Sequence, residues 1–408
     1  MTPFAAAMEV LKKLEEAGFQ AYLVGGCVRD LLLHQEPADY DIATDATPDQ
    51  VQAIFPDTIP TGIKHGTVTV LIHKIPLEVT TFRIEKGYSD HRRPDEVQFV
   101  SSLEADLARR DFTINAMAQD RQGKIYDPFQ GRSDLERRRI RAVGHPEHRF
   151  TEDPLRIVRG IRFAAQLGFT IEPSTEAAMV TLRKMCTSLS VERVVQEIEK
   201  IWDSKNPHQG CKTFWQLDLI HFLPPFHQWD LKMKPKVEQF QELVHSSSRL
   251  IKWAYLLFLC SAPPQEARSR LRQLRLSARD TTEISQIYLL ANDWPDSLTV
   301  EQGKRMILKE GIERLLAAVE LAAQMDKMTK NEADFQQEQL SRWLKEMPVR
   351  KLHELAINGS NLISFTGKAP GPWVGRVLNI LLERTALGDL PNEREALLEE
   401  GNRLAQSS

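Results

Sequence analysis

The hydrophobic period of the chain changes once, near residue 150, and this change limits the fold more than any other feature. Before it lie short runs rich in β-branched residues: Gln20-Ala21-Tyr22-Leu23-Val24, Asp39-Tyr40-Asp41-Ile42-Ala43, Thr67-Val68-Thr69-Val70-Leu71-Ile72 and Leu77-Glu78-Val79-Thr80-Thr81-Phe82-Arg83. They predict strands, the last two paired through Lys74-Ile75-Pro76. Helical patterns run from Phe4 to Ala17, stopped at Gly18, and from Cys27 to Leu33. From Asp153 onward strand signals nearly vanish. Apolar residues recur with a 3.6-residue period over 155–167, 176–185, 192–202, 237–245, 250–259 and 265–274. The order predicts an α+β fold, with a small mixed sheet plus helices followed by all-α segments over roughly two thirds of the chain.

Composition narrows the partners. The 408 residues carry 53 Lys+Arg against 56 Asp+Glu, a net charge of −3, with 42% hydrophobic residues. That excludes a disordered chain and a globally basic nucleic-acid binder, so a polyanion must meet a local basic surface. Arg132, Arg137, Arg138, Arg139 and Arg141 put five arginines in ten residues, diluted by Asp134 and Glu136. The longest apolar runs, such as Trp253 to Cys260, fall far short of the roughly 20 residues that cross a bilayer. The start of the chain does not read as a signal peptide, so no membrane association and a cytoplasmic location are expected. Cys27, Cys186, Cys211 and Cys260 form no C-x-x-C pair, which argues against a zinc site or a redox motif.

Three constellations carry chemistry. Gly25-Gly26 stands at a strand-to-helix turn, where backbone N–H groups can cradle a triphosphate, with Arg29 one turn in. Asp39 and Asp41, two apart on a strand, share a face and are candidates to hold one or two Mg²⁺ ions; Glu78 is placed to be a third carboxylate. Arg109-Arg110-Asp111-Phe112-Thr113-Ile114-Asn115-Ala116 joins two arginines to a buriable helical run, with Arg110 a candidate for bidentate phosphate binding. In Glu152-Asp153-Pro154-Leu155-Arg156, Asp153 reads as a helix N-cap and Pro154 as N1. On a wheel of about 100° per residue, Ile157, Val158, Ile161, Ala164 and Ala165 cover one arc. Arg156 and Arg159 lie opposite it, Arg162 flanks, and the stripe is either solvated or turned to a ligand. Asp153 can accept from an exocyclic amino group while Arg156 donates to a ring nitrogen or carbonyl. Such a pair selects cytosine and adenine, because uracil and guanine present a carbonyl to the carboxylate.

Val24-Gly25-Gly26-Cys27-Val28-Arg29-Asp30, Asp39-Tyr40-Asp41, the 109–116 segment and 152–163 occur in an order and spacing that resemble the class II nucleotidyltransferases. These are the bacterial CCA-adding tRNA nucleotidyltransferases and the related poly(A) polymerases. The resemblance implies a polymerase-β-like head over 1–145, a neck over 146–205, a body over 206–325 and a tail over 326–408, the tail similar to that of the Gram-positive-type enzymes. It implies template-independent addition of C-C-A to tRNA 3′ ends from CTP and ATP, with Mg²⁺ as cofactor; a homodimer is compatible with it. By motif, Asp39 and Asp41 take the metal and Arg110 the triphosphate. Gly26 and Arg29 contact the nucleotide, Asp153 and Arg156 the base, and Arg159 and Arg162 extend the same stripe. The polar segment 85–96 resembles the flexible loop of full CCA-adding and A-adding enzymes, which disfavours CC-only addition. The alternative is an A-adding enzyme or a poly(A) polymerase with the same motifs.

Overall fold

The computed structural model describes residues 1–87, 96–231, 234–246 and 248–406. They pack as two compact units, Met1–Asp230 and Leu231–Ser408.

The first unit opens with α1 (Pro3–Glu16), capped by Thr2, whose Oγ1 accepts the Ala5 N–H at 3.2 Å. Its Ala6, Ala7, Val10, Leu11 and Leu14 recur at helical spacing and are fully buried against the sheet. Then follow β1 (Ala21–Val24), α2 (Gly26–Leu32), β2 (Asp41–Thr44), α3 (Pro48–Ile54), β3 (Thr58–Gly62), β4 (Thr67–Ile72) and β5 (Ile75–Thr81). After them come β6 (Arg83–Lys86), β7 (Glu96–Phe99), α4 (Leu103–Ala108), β8 (Ala118–Gln119), β9 (Ile125–Tyr126), α5 (Gly131–Glu136) and β10 (Arg139–Ile140). The main sheet has the order β3-β4-β5-β2-β1-β8-β9. β2 runs antiparallel to β1 with Val24 opposite Asp41, and parallel to β5 with Asp41 opposite Glu78. The mixed sheet thus sets the end of β1, the start of β2 and the middle of β5 beside one another.

Three local expectations before residue 150 are corrected. The β4–β5 hairpin turns on His73-Lys74, not through Lys74-Ile75-Pro76; both turn residues have positive φ, 49° and 68°, the twist that two-residue hairpins favour. Glu85 and Lys86, read as loop, pair with Val97 and Glu96 in an antiparallel ribbon, while residues 88–95 of that segment lie outside the described residues. The run after Arg110 is not a helix: Phe112 bridges Ala142 and Thr113–Asn115 form a short 3₁₀ turn.

The unit closes with α6 (Pro146–Glu152), α7 (Leu155–Leu167), β11 (Thr170–Ile171), α8 (Pro173–Leu182), α9 (Val191–Trp202) and α10 (Pro207–Gln216). Asp153 does not start α7 as an N-cap with Pro154 inside the helix. It ends α6, and Pro154 stands at the cap position, although Asp153 Oδ1 does accept the Leu155 N–H at 3.0 Å. The sharp corner between α6 and α7 follows, because proline keeps the residue before it out of the helical region.

The second unit is helical: α11 (Val237–His245), α12 (Arg249–Leu259), α13 (Ala267–Gln273), α14 (Ala278–Asn292), α15 (Val300–Glu310), α16 (Ile312–Gln324), α17 (Lys330–Glu346), α18 (Gly359–Thr366), α19 (Pro372–Leu387) and α20 (Arg394–Gln406). Leu315, Val319, Leu340, Leu362, Val377, Leu381 and Leu397, all fully buried, form one continuous core from five of these helices. No helix among the described residues is long and apolar enough to cross a membrane. All four cysteines are free and buried, and burial pushes the Cys27 thiol up to about 11.

Candidate active site

A cleft of about 660 Å³ opens in the first unit where α2, the start of β2, the segment after α4, α7 and α9 converge. Every residue named from the motifs lines it: Gly25 and Gly26, Arg29, Asp39 and Asp41, Arg110, Asp153, Arg156, Arg159 and Arg162.

One wall begins at Gly25, held at a φ of 77° that side chains disfavour. A Cβ there would stand 2.8 Å from Arg110 Nη1 and would crowd the guanidinium in its present place. The first-turn N–H groups of α2 have no carbonyl within the helix to bond. Arg29 donates through Nη1 to Asn115 Oδ1 and through Nε to Asp30 Oδ1, each at 2.8 Å. Arg110 donates through Nη2 to the buried Asp106 Oδ2 at 3.3 Å.

Asp41 opens β2, whereas Asp39 precedes the strand and is exposed. Burial pushes the Asp41 carboxyl above its usual range; Arg110 opposes this, and the neighbouring Glu78 and Asp39 charges add to it. Two carboxylates whose negative charge is incompletely met suit a hard divalent cation, which takes one or two carboxylates and completes its shell with substrate phosphates. Glu78 is opposite Asp41 in register but is exposed and does not line the cleft. Among the described residues no three His, Cys, Asp or Glu side chains gather to hold a metal by themselves.

The opposite wall belongs to α7. Its arginine stripe is not a solvated face: Arg156 and Arg162 are buried, and Arg156, Arg159 and Arg162 each meet a carboxylate. Arg159 grips Asp111 Oδ2 with Nε at 2.8 Å and Nη2 at 2.5 Å. Burial pushes the Asp111 carboxyl up, but Arg159, a hydrogen bond from Asn115 and the Arg156 charge outweigh it and hold the group at about 2. Arg162 donates to Glu197 at 2.5 Å, and its guanidinium carbon stands 3.8 Å from the centre of the Phe163 ring, which Arg29 and Arg159 also approach, both at 5.4 Å.

At the mouth of α7, Asp153 accepts from Arg193 at 2.6 and 3.3 Å. Arg156 spends Nη1 on Glu152 (2.6 Å) and on the Arg149 carbonyl (3.4 Å), and one Nη2 hydrogen on the Arg109 carbonyl (3.1 Å). Its Nε–H and second Nη2–H have no partner among the described residues. α9 therefore holds α7 twice: Arg193 takes the carboxylate at its start, and Glu197, one turn later, takes the guanidinium at its middle. Asp111, Asn115, Phe163 and Arg193 also line the cleft and were not singled out from the sequence. The first three lie inside the quoted motifs, but Arg193 is 40 residues from its partner, and no spacing rule connects them.

A strand-flanked aspartate pair, a glycine turn and an arginine wall on a mixed sheet define a nucleotidyltransferase with a poly(A) polymerase-type head. Residues 21–141 match the family described as the poly A polymerase head domain, residues 168–230 that described as "Probable RNA and SrmB- binding site of polymerase A", and residues 244–400 a tRNA nucleotidyltransferase domain 2. The Enterococcus faecalis CCA-adding enzyme is 38% identical over 400 residues, 97% of this chain and 95% of its own. That of Geobacillus stearothermophilus is 38% identical over 100% of this chain and 99% of its own. The Bacillus stearothermophilus CCA-adding enzyme, solved in complex with CTP, superposes with a TM-score of 0.82 at 36% identity, covering 100% of this chain and 99% of that one. The Thermotoga maritima enzyme complexed with tRNA_CCA shares the fold, with a TM-score of 0.67 at 24% identity over 100% of this chain and 97% of its own. The chain belongs to the CCA-adding enzyme family and is a tRNA nucleotidyltransferase. Enzymes of this class use divalent metal ions.

Proposed function

We propose that the cleft adds cytidylate, cytidylate and adenylate in turn to tRNA 3′ ends, taking CTP and ATP, releasing pyrophosphate and using no nucleic-acid template. The observation that supports this most is that the aspartate pair, Arg110 and the Asp153–Arg156 couple line one cleft. Asp39 and Asp41 are the residues to hold Mg²⁺, which when bound neutralises triphosphate charge and acidifies the attacking ribose hydroxyl. Arg110 donates to the triphosphate and stays with the departing pyrophosphate. The bare backbone at Gly26 and the guanidinium of Arg29 admit and hold the nucleotide beside them.

Base choice falls to the mouth of α7. Asp153, fixed by Arg193, keeps lone pairs for N4 of cytosine or N6 of adenine. The two uncommitted donors of Arg156 serve N3 and O2 of cytosine, or N1 of adenine. Uracil and guanine set a carbonyl against the carboxylate, and a buried unpaired acceptor costs about 1–3 kcal/mol. Arg159 and Arg162 with Phe163 form the floor on which the nucleotide lies. The body, 206–325, and the tail, 326–408, bind tRNA through its phosphates and A-form shape.

The test supplies purified protein with tRNA lacking its last three residues and each labelled NTP in turn. CTP should be incorporated first, ATP only after two C residues, and growth should stop at three. Addition of A alone, or long A tails, would reject the reading in favour of an A-adding enzyme or a poly(A) polymerase.

A further inference from the structure

Arg110 reaches the cleft, but what fixes it lies behind the wall. We infer that Asp106 is a positioning residue that holds Arg110 toward the triphosphate and away from Asp41. The inference rests on the reading above, in which Arg110 meets the triphosphate and Asp41 the metal.

Asp106 sits on α4 one turn before Arg110 and is 0% exposed. Its Oδ2 accepts from Arg110 Nη2 at 3.3 Å. Its Oδ1 accepts from Arg109 Nε at 3.0 Å and Nη2 at 2.9 Å, and from the Arg83 backbone N–H at 3.3 Å. The remaining arm of Arg109 reaches Glu85 Oε1 at 3.1 Å, which also takes Arg83 Nε at 3.0 Å. Arg83, Glu85, Arg109 and Asp106 thus close a ring, and within it the Asp106 carboxylate has no freedom to turn. Burial works against its charge, but Arg109 and Arg110 overcome that and keep the carboxyl below its usual range.

Among the described residues the Arg110 side chain has only this one anchor. Its Nε is buried with no hydrogen-bond partner, and its Nη1 lies over Gly25. Asp41 feels its charge, yet no ion pair joins the two. Two carboxylates therefore compete for one guanidinium, and the one built into the ring holds it. Without that anchor, charge-assisted pairing draws Arg110 onto an Asp41 oxygen. The triphosphate then loses a donor and the metal loses a ligand atom together.

The test is Asp106→Asn in the full chain, which keeps the shape and removes the charge. CTP and CMP affinities are measured by calorimetry with Mg²⁺ on the same preparation, so their ratio is insensitive to the folded fraction. CTP should bind about tenfold more weakly, CMP should change by less than about twofold, and the Mg²⁺ needed for half-maximal CTP binding should rise. In an Arg110→Ala background, Asp106→Asn should add nothing further. Parallel loss of CTP and CMP, or a full additional loss on top of Arg110→Ala, would overturn the role of Asp106. If Arg110→Ala alone leaves the CTP-to-CMP ratio untouched, the triphosphate reading fails and the inference fails with it.

Discussion

At the scale of single residues, the arginines that line the cleft are charges each met by a carboxylate of the same unit. Asp111 shows the consequence for stability. Its carboxyl is held at about 2 in the folded protein against an ordinary value of 3.8. The folded state therefore binds its proton less readily than the unfolded chain, so the group stabilises the fold above about pH 4, and this contribution fades as pH falls toward 2. A depression of nearly two units corresponds to about 2 kcal/mol. Urea unfolding of the native protein and of Asp111→Asn should therefore differ at pH 6, with the gap closing as the buffer is taken down toward pH 2.5. Asp111→Asn should also weaken the hold on Arg159, which is hydrogen-bonded to no other carboxylate among the described residues.

At the scale of elements, the 109–116 segment works because α5 presses against it. A Cβ on Gly131 would meet the Thr113 carbonyl oxygen at 2.3 Å and Met117 Cγ at 2.9 Å, and a backbone oxygen cannot swing aside as a side chain can. Gly131→Ala should cost about 1–3 kcal/mol of unfolding free energy. It should also weaken CTP binding, since the displaced turn carries Asn115 to Arg29; chemical denaturation and calorimetry on one preparation would show both. What could be read from sequence follows the same division. Asp41, Gly25 and Gly26 were legible because a strand or a turn fixes them locally; Asp39, expected on the same strand, precedes it yet still lines the cleft. The wheel of α7 grouped Arg156, Arg159 and Arg162 correctly but left solvent as one destination, because periodicity says nothing about the carboxylates that reach in. Those come from Glu152 nearby but also from Asp111, 48 residues away, and Glu197, 35 residues away. The 3₁₀ turn at Thr113–Asn115 was likewise hidden: residues 111–118 are buried throughout, so no period marks where the turn lies.

For the molecule as a whole, every residue lining the cleft falls between Gly25 and Lys200, inside the unit Met1–Asp230. That unit has its own buried core, from Leu11 in α1 to Trp202 in α9. A fragment of residues 1–230 should fold with a single cooperative transition and bind CTP within about threefold of the full chain. It should add nucleotides to tRNA poorly, because the helices assigned to gripping tRNA are largely missing. Circular dichroism and a CTP titration would test the first claim, and primer extension the second. Loss of CTP binding in a folded fragment would show that the cleft needs more of the chain than its lining.

The double grip of α9 on α7 has a further consequence. The carboxylate proposed to discriminate between bases is held by a neighbouring helix, whereas Asp41 is fixed by the sheet. Heat that loosened this helix contact while leaving the strands paired would release Asp153 and spare Asp41. Accuracy would then decay ahead of speed, and heat would be recorded at tRNA termini as wrong letters rather than as missing ones.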